Sequence, residues 1–362
     1  MKSESFLKFF PPPRYLRALA VGIDVSDRSL KYVELKNNKG NFSVFRYGTR
    51  VMPENIIESG EIKDRAKFTD ILKSLNKELG VKFVNVSLPE EKAFVSRIEM
   101  PFMELENLRG AIELQIEEHI PLAPEDIVFD FEIIGRDEKK KIFIINLAAC
   151  PRNLVEIYRD CFKDAGFLPL VFEMETHAFA RAMVSRKDEN FYFLVDFGKT
   201  RTSFAIVGKN KVQFTSTVKI GGDDLNSAIM KNFNIDLAEA EEIKKKKGMV
   251  RGKDNERVFN ILLSAVSVIK DEIKKHVNYW NIYSGEKMGE QNFIKKILLC
   301  GGDSNLIGFP EYISYELKIP AELCNPWINI VDFEDHVPEI DLRESLIYVV
   351  ALGLALRSFI EE

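Results

Sequence analysis

An apolar run that closes on an aspartate, a short polar turn and a returning apolar run occur twice in this chain: VGIDVSDRSLKYVEL around Asp24 and FLVDFGKTRTSFAIVG around Asp196, 172 residues apart. Each reads as a β-hairpin, and the recurrence of one unit so far along the chain predicts two lobes built on one plan. Gly198 stands in the second copy where Ser26 stands in the first, and Thr202 follows as Ser29 does. Such a turn presents successive backbone N–H groups, a concavity suited to phosphate oxygens, and a nearby carboxylate can hold the Mg²⁺ that accompanies them. Asp24 and Asp196 are therefore the candidate metal-side residues, and two such turns facing one cleft would hold a nucleotide's phosphates from both sides. An aspartate in a turn also arises from local hydrogen bonding alone, so it is the pairing that carries the reading.

At 362 residues the chain is longer than a single hydrophobic core supports. Its 51 Lys and Arg against 56 Asp and Glu, a net charge of −5, argue against general affinity for nucleic acid or anionic membrane. Cys150, Cys161, Cys300 and Cys324 show no C-x-x-C spacing and the four histidines no ligand cluster, which fits a reducing cytoplasm. The start, MKSESFLKFFPPPRYLRALA, has apolar runs too short for a signal peptide or for a span of about 20 residues. Residues 1–17 are expected to form a flexible tail in which Phe6, Leu7, Phe9 and Phe10 either dock on a partner or membrane or simply precede the first strand.

Strands are expected at Ala18–Asp24, Ser29–Leu35, Phe42–Val51 and Phe83–Leu88, with a helix over Asp64–Leu79. Then the texture changes. Ala93–Glu99 reads as a strand; Leu105, Leu108, Ile112, Ile116 and Ile120 make one apolar helix face; IVFDFEIIG and KIFIINLAAC form a hairpin; and PRNLVEIYRDCFKDAGF is a helix with Pro at its start and Gly166 at its end. Together these predict a compact α+β unit from about Pro89 to Leu170.

Two glycine pairs follow. In VKIGGDDLNSAI, Gly221 and Gly222 allow close backbone approach and Asp223 or Asp224 caps a helix whose N-terminus favours anions. In KKILLCGGDSNLIGF, a strand ends in Gly301-Gly302, where a flat ligand such as adenine can lie against the backbone.

In order and spacing these four signals resemble the actin-like ATPase superfamily, with METHAFARAM and ESLIYVVALGLAL as its two connecting helices. Within it, GIDVSDRSLKYVEL, the segment MPFMELENLRGAIELQIEEHIPLAPEDIVFDFEIIG, IGGDDLNSAI, LLCGGDSNLIGFPEYI and IPAELCNPWINI resemble the type IV pilus assembly PilM family, from about Leu19 to Arg357. The resemblance implies an α/β, actin-like two-lobed fold of duplicated RNase H-like cores. Lobe I would span 18–88, completed by 171–190 and 341–362; a partner-binding α+β insert 89–170; lobe II 191–340. It implies ATP and Mg²⁺ as cofactors, with Asp24, Ser26 and Ser29 in the first phosphate loop and Asp196, Gly198 and Thr202 in the second. Gly221 and Gly222 would form a phosphate-side turn and Gly301 and Gly302 the adenosine loop. Glu241 and Lys244 of the AEEIK segment would face the adenosine. As partners it implies the N-terminal cytoplasmic tail of the membrane protein PilN, with pilus motor ATPases and self-association besides, for a cytoplasmic protein held at the inner membrane through its partner.

Two departures stand out. Ser26 replaces the glycine of the family's D-x-G turn, and Lys199 and Arg201 flank Thr200, where either reaches a phosphate or is solvated. No residue is assignable as the group positioning an attacking water, so turnover is expected to be slow or absent. The run AEAEEIKKKKGMVRGKDNER reads as a solvated charged helix rather than a nucleic-acid patch, His119, His177 and His276 as packing or surface residues, and Cys300 as a buried strand thiol. The alternatives are a small-molecule kinase of the same superfamily, which needs a catalytic carboxylate and a substrate pocket, and an FtsA-like filament former, for whose membrane helix SFIEE is too short.

Overall fold

The computed structural model describes residues 19–38, 41–287, 292–330, 338 and 340–359, so the expected tail lies outside them. Strands β1 (Val21–Val25), β2 (Ser29–Asn38) and β3 (Asn41–Val51) form an antiparallel meander. Strand β6 (Phe83–Leu88) lies parallel to β1, and β10 (Leu168–Met174) parallel to β6, giving the order β10-β6-β1-β2-β3. Strands β4 (Ile57–Glu58) and β5 (Glu61–Ile62) make a small separate pair. The plan is then repeated. Strands β11 (Phe191–Phe197), β12 (Thr202–Gly208) and β13 (Lys211–Val218) form a second meander, with β14 (Ile294–Cys300) parallel to β11 and β15 (Ala321–Leu323) parallel to β14. Each sheet with its helices is one lobe.

The helix Arg65–Leu79 shows how the sequence builds an element: Asp64 caps it by accepting from Lys67 N, Gly80 ends it in the left-handed region, and Phe68, Leu72, Leu75 and Leu79 bury one stripe. That stripe enters the first lobe's outer core. Leu154, Tyr158, Cys161 and Phe162 of the helix Arg152–Asp164 enter the same core. The sequence assigned this helix, and residues up to 170, to the inserted unit. Its amphipathic face is instead spent on the first lobe, and β10 joins the first sheet from Leu168.

The insert proper is smaller. Strands β7 (Phe94–Pro101), β8 (Ile127–Asp137) and β9 (Ile142–Pro151) pair in the order β7-β9-β8, and the helix Leu105–His119 lays Leu108, Ile112 and Ile116 on one face of that sheet. Leu105, expected on the same face, is exposed at the helix's first position.

Between the sheets run two connecting helices, Glu175–Met183 and Val349–Arg357, both buried along nearly their whole length. They cross backbone to backbone: a Cβ on Gly353 would overlap the Ala178 carbonyl, and one on Gly22 of β1 would overlap that of Ala351. Gly353→Ala should therefore cost about 3 kcal/mol through forced separation of the helices. Gly110→Ala, on an exposed helix face with nothing within 4 Å, should stabilise by up to about 1 kcal/mol. Urea unfolding midpoints of both variants, moving in opposite directions, are the measurement.

Candidate functional site

Both β1 and β11 carry an aspartate to the end of the strand that faces the gap between the lobes. Ser26 N donates to Ser29 O at 2.9 Å, and Gly198 N donates to Arg201 O at 3.0 Å, so the two turns close alike. Ser26 does not adopt a positive φ, and its hydroxyl also donates to Ser29 O; serine in the glycine place is accommodated. The strand registers match as well: Asp24 lies opposite Lys31 and Asp196 opposite Ser203. Ser29 therefore corresponds to Arg201, and Leu30 to Thr202. The sequence pairing of Thr202 with Ser29 is off by one residue, because matching hydroxyls demanded a gap that the hairpins do not contain. Thr202 is fully buried, and its hydroxyl donates to Ile220 O at 2.7 Å.

A cleft of about 630 Å³ opens between the lobes. Asp24, Ser26, Ser29, Asp196, Gly198, Glu241, Lys244, Gly301 and Gly302 all line it. Thr202, Gly221 and Gly222 do not. Gly221 lies behind the second turn, where a Cβ would overlap the Lys199 carbonyl, and Gly222 N donates to Gly198 O at 3.0 Å. Asp224 is the capping residue, accepting from Gly221 N at 2.8 Å, while Asp223 faces Arg28 of the first turn at 3.4 Å. Gly301 has φ +85° and touches the second hairpin at Asp196 and Phe197, which only glycine permits. Lys244 Nζ is already taken by Asp303 Oδ1 at 2.7 Å and Gly222 O at 3.3 Å, so it fastens the double-glycine loop to the helix Leu237–Lys247. Glu241, one turn earlier, faces Lys199 at 3.7 Å.

Acidic groups crowd the floor. Asp24 accepts from Lys31 Nζ at 3.2 Å and from Ser87 Oγ at 3.0 Å. Burial works against the charge of Lys31, yet the carboxylates of Asp24 and Asp196 hold it protonated beyond its ordinary range. Burial, with the Asp24 charge nearby, pushes the Asp196 carboxyl up to about 6. Burial likewise pushes Glu175 up to about 8, against the pull of Arg201. Arg201 donates to Glu175 Oε1 at 2.6 Å and Glu91 Oε1 at 3.2 Å and lies 3.9 Å from Asp27. Neither solvated nor free for a phosphate, it is locked in the floor. Cys300 is buried beside Asp196, and burial raises its thiol well above the ordinary range.

Sequence reasoning missed Lys31, Glu175 and Asp303, and misread Arg201. Lys31 was recoverable, since it is the cation directly across the hairpin from Asp24. The others meet their partners only through the tertiary fold.

A family model described as type IV pilus assembly protein PilM matches residues 22–359. The chain belongs to that family. Among solved structures, a chain of a PilM-PilN type IV pilus biogenesis complex is similar at 24% identity and TM-score 0.80, covering 95% of this chain and 100% of that one. The ethanolamine utilization protein EutJ from Carboxydothermus hydrogenoformans is similar at 15% identity and TM-score 0.55, with 98% and 97% coverage. MreB5 of Spiroplasma citri bound to ADP is similar at 15% and 0.55, with 94% and 95% coverage. The two-lobed fold is thus actin-like, as its family membership also implies.

Asp196 and Glu175 bind protons more readily folded than unfolded. Between about pH 4.5 and 8 the folded state therefore holds the extra protons, and stability falls as pH rises through that window. Because Asp196 is partly open to cleft water, its share of the loss should be on the order of 2 kcal/mol. Unfolding free energies at pH 5, 6, 7 and 8 should decline in the native chain and decline less steeply in Asp196→Asn and Glu175→Gln.

Proposed function

We propose that this chain binds ATP with Mg²⁺ in the cleft and acts as a cytoplasmic component of the type IV pilus assembly platform at the inner membrane. There it would engage the N-terminal cytoplasmic tail of a PilN-like membrane protein. The observation that carries the nucleotide reading is that two identically closed turns, each following a strand whose penultimate residue is an aspartate, line one cleft. The similar MreB5 is bound to ADP, which supports that reading, and another similar chain comes from a PilM-PilN complex, which supports the partner.

In this reading the first turn, with Asp24, Ser26 and Ser29, and the second, with Asp196 and Gly198, take the phosphates, aided by Lys31 and Lys199. Gly301, Gly302 and Glu241 flank the base, while Lys244, Gly221 and Gly222 hold these loops in place. The donor set fits Mg²⁺ arriving with phosphate. Among the described residues no three His, Cys, Asp or Glu side chains converge as a protein-only metal site, and Mg²⁺ commonly takes one or two carboxylates together with substrate phosphates. When bound, the ion would neutralise phosphate charge beside Asp196, whose carboxyl is raised chiefly by burial. Glu175 is bound by Arg201 rather than free to orient water, so turnover is expected to be slow. No helix of the described residues is long and apolar enough to cross a membrane, so attachment to the inner membrane would run through the partner.

Calorimetry should show Mg-ATP affinity reduced roughly tenfold or more in Asp24→Ala and in Asp196→Ala, a loss of about 1.4 kcal/mol or greater; unchanged affinity in both variants would overturn the phosphate assignment. A peptide copying the cytoplasmic tail of the cognate PilN-like protein should bind the full chain by fluorescence anisotropy. It should fail to bind a chain in which a short Gly-Ser linker replaces residues 94–149, the segment carrying the separate core of the inserted sheet. Binding retained in that variant would move the groove elsewhere.

A further inference from the structure

We propose that the N-terminal proline-rich segment of one copy of this chain docks in an aromatic groove on the second lobe of another copy. The groove encloses about 460 Å³ beside the helix Phe309–Leu317 and is lined by Met249, Val250, Phe259, Ile307, Tyr312 and Tyr315. Tyr315 is 66% exposed, Val250 46% and Ile307 41%, an apolar strip left open to solvent. It is a built feature. Met249 N donates to Ile307 O at 2.6 Å, and Gly248 and Gly308, with φ of +57° and +79°, let the two walls meet backbone to backbone. Phe259 and Tyr312 stand edge to face at 6.5 Å, and Lys318 Nζ lies 4.0 Å over the Tyr315 ring.

Grooves walled by aromatic rings on a fixed backbone take polyproline II ligands, whose conformation is pre-set and whose ordering cost is small. The chain carries a sequence of the composition such grooves select: SESFLKFFPPPRYLR, residues 3–17, has three consecutive prolines between Phe9-Phe10 and Tyr15. Its Lys8, Arg14 and Arg17 are opposite in charge to Glu311, which lines the groove, and to Glu316 on the next turn, both exposed, while the lining cation Arg251 is engaged 5.1 Å over the Phe259 ring. The direction of β1 favours docking between copies. That strand runs toward the cleft, so Leu19 leaves from its opposite end, where Ala20 N donates to Ser358 Oγ. The groove opens at the cleft side, since Ile307 lines both groove and cleft. A tail at one end and its receptor at the other make a heterologous, head-to-tail contact, which propagates into rings or filaments.

The test uses the full chain. Sedimentation velocity should show concentration-dependent association that Tyr315→Ser abolishes, with the melting temperature unchanged because the residue is exposed. A synthetic peptide of residues 3–17, added in excess, should dissociate the native assemblies, and the same peptide with Pro11, Pro12 and Pro13 replaced by Gly should need at least tenfold more. A chain that stays monomeric at all concentrations overturns the proposal, including the case where the tail folds back on its own groove. Association unaffected by Tyr315→Ser or by the peptide overturns it too, as does a tail that binds anionic vesicles while leaving assembly unchanged.

Discussion

The contact on which the rest of this structure depends is the crossing of the two connecting helices at Gly353 and Ala178, with β1 pressed against the second helix at Gly22. Only backbones touching backbones let the two helices fit between two sheets, and that spacing fixes how far apart the turns at Asp24 and Asp196 stand. The far side of the crossing is stapled by charge. Glu173 accepts from Arg181 and Arg357, and Arg181 also donates to Gly353 O at 3.0 Å. Although burial opposes its charge, Arg181 and Arg357 hold the Glu173 carboxyl below its ordinary range. A buried ion group of this kind contributes little net stability over an apolar replacement. Its bonds to Gly353 and to two separate helices define where the helices cross.

On the cleft side, one guanidinium joins what the crossing brings together. Arg201 leaves the second turn and reaches Glu175 at the head of the first connecting helix, Asp27 in the first turn and Glu91 just before the insert begins. The next hairpin of the same second-lobe meander grips the insert at its other end, where Asn146 Nδ2 donates to Val212 O and Lys211 pairs with Glu132 at 3.2 Å. Arg97 of β7 adds a stacking contact at 5.0 Å on Tyr283 of the second lobe. The insert therefore hangs by covalent bonds from the first lobe and by polar contacts from the second, so relative motion of the lobes acts on it from both sides.

Much of this was legible in the sequence, and the failures have physical causes. Alternating apolar runs and capped helical stripes marked the duplicated hairpins and the helix Arg65–Leu79, because those signals are local. The helix Arg152–Asp164 was also seen as a helix, but periodicity says only that a face is buried, not against what, and it went to the wrong unit. Thr202 was misaligned because residue chemistry was matched where strand register decides; a hairpin slip of one residue turns every side chain to the other face. Arg201 was expected to reach a phosphate or be solvated and Lys244 to face the adenosine, yet both are tied to buried carboxylates. Their partners Glu175, Glu91 and Asp303 lie between 26 and 110 positions away in sequence, beyond the reach of any local rule.

Charges read from the sequence, Asp24 and Asp196, and charges that only the fold brings in, Glu175 and Lys31 among them, define the site's chemistry together. Asp24, Asp27, Glu90, Glu91, Glu175 and Asp196 lie around Lys31 and Arg201, and burial, with neighbouring carboxylates adding to it, raises Asp196 and Glu175 against the pull of those two cations. Glu90 sharpens the point: one carboxyl oxygen accepts from Thr176, and the other is buried with no partner. A floor this acidic would repel a bare triphosphate, while Lys199, Arg28 and Lys245 sit at the rim of the same cleft. Under the proposed function, that arrangement would suit a ligand that carries positive charge inward and negative charge outward. A phosphate group arriving with a cation would have that polarity, which is the form in which the proposal has the nucleotide enter.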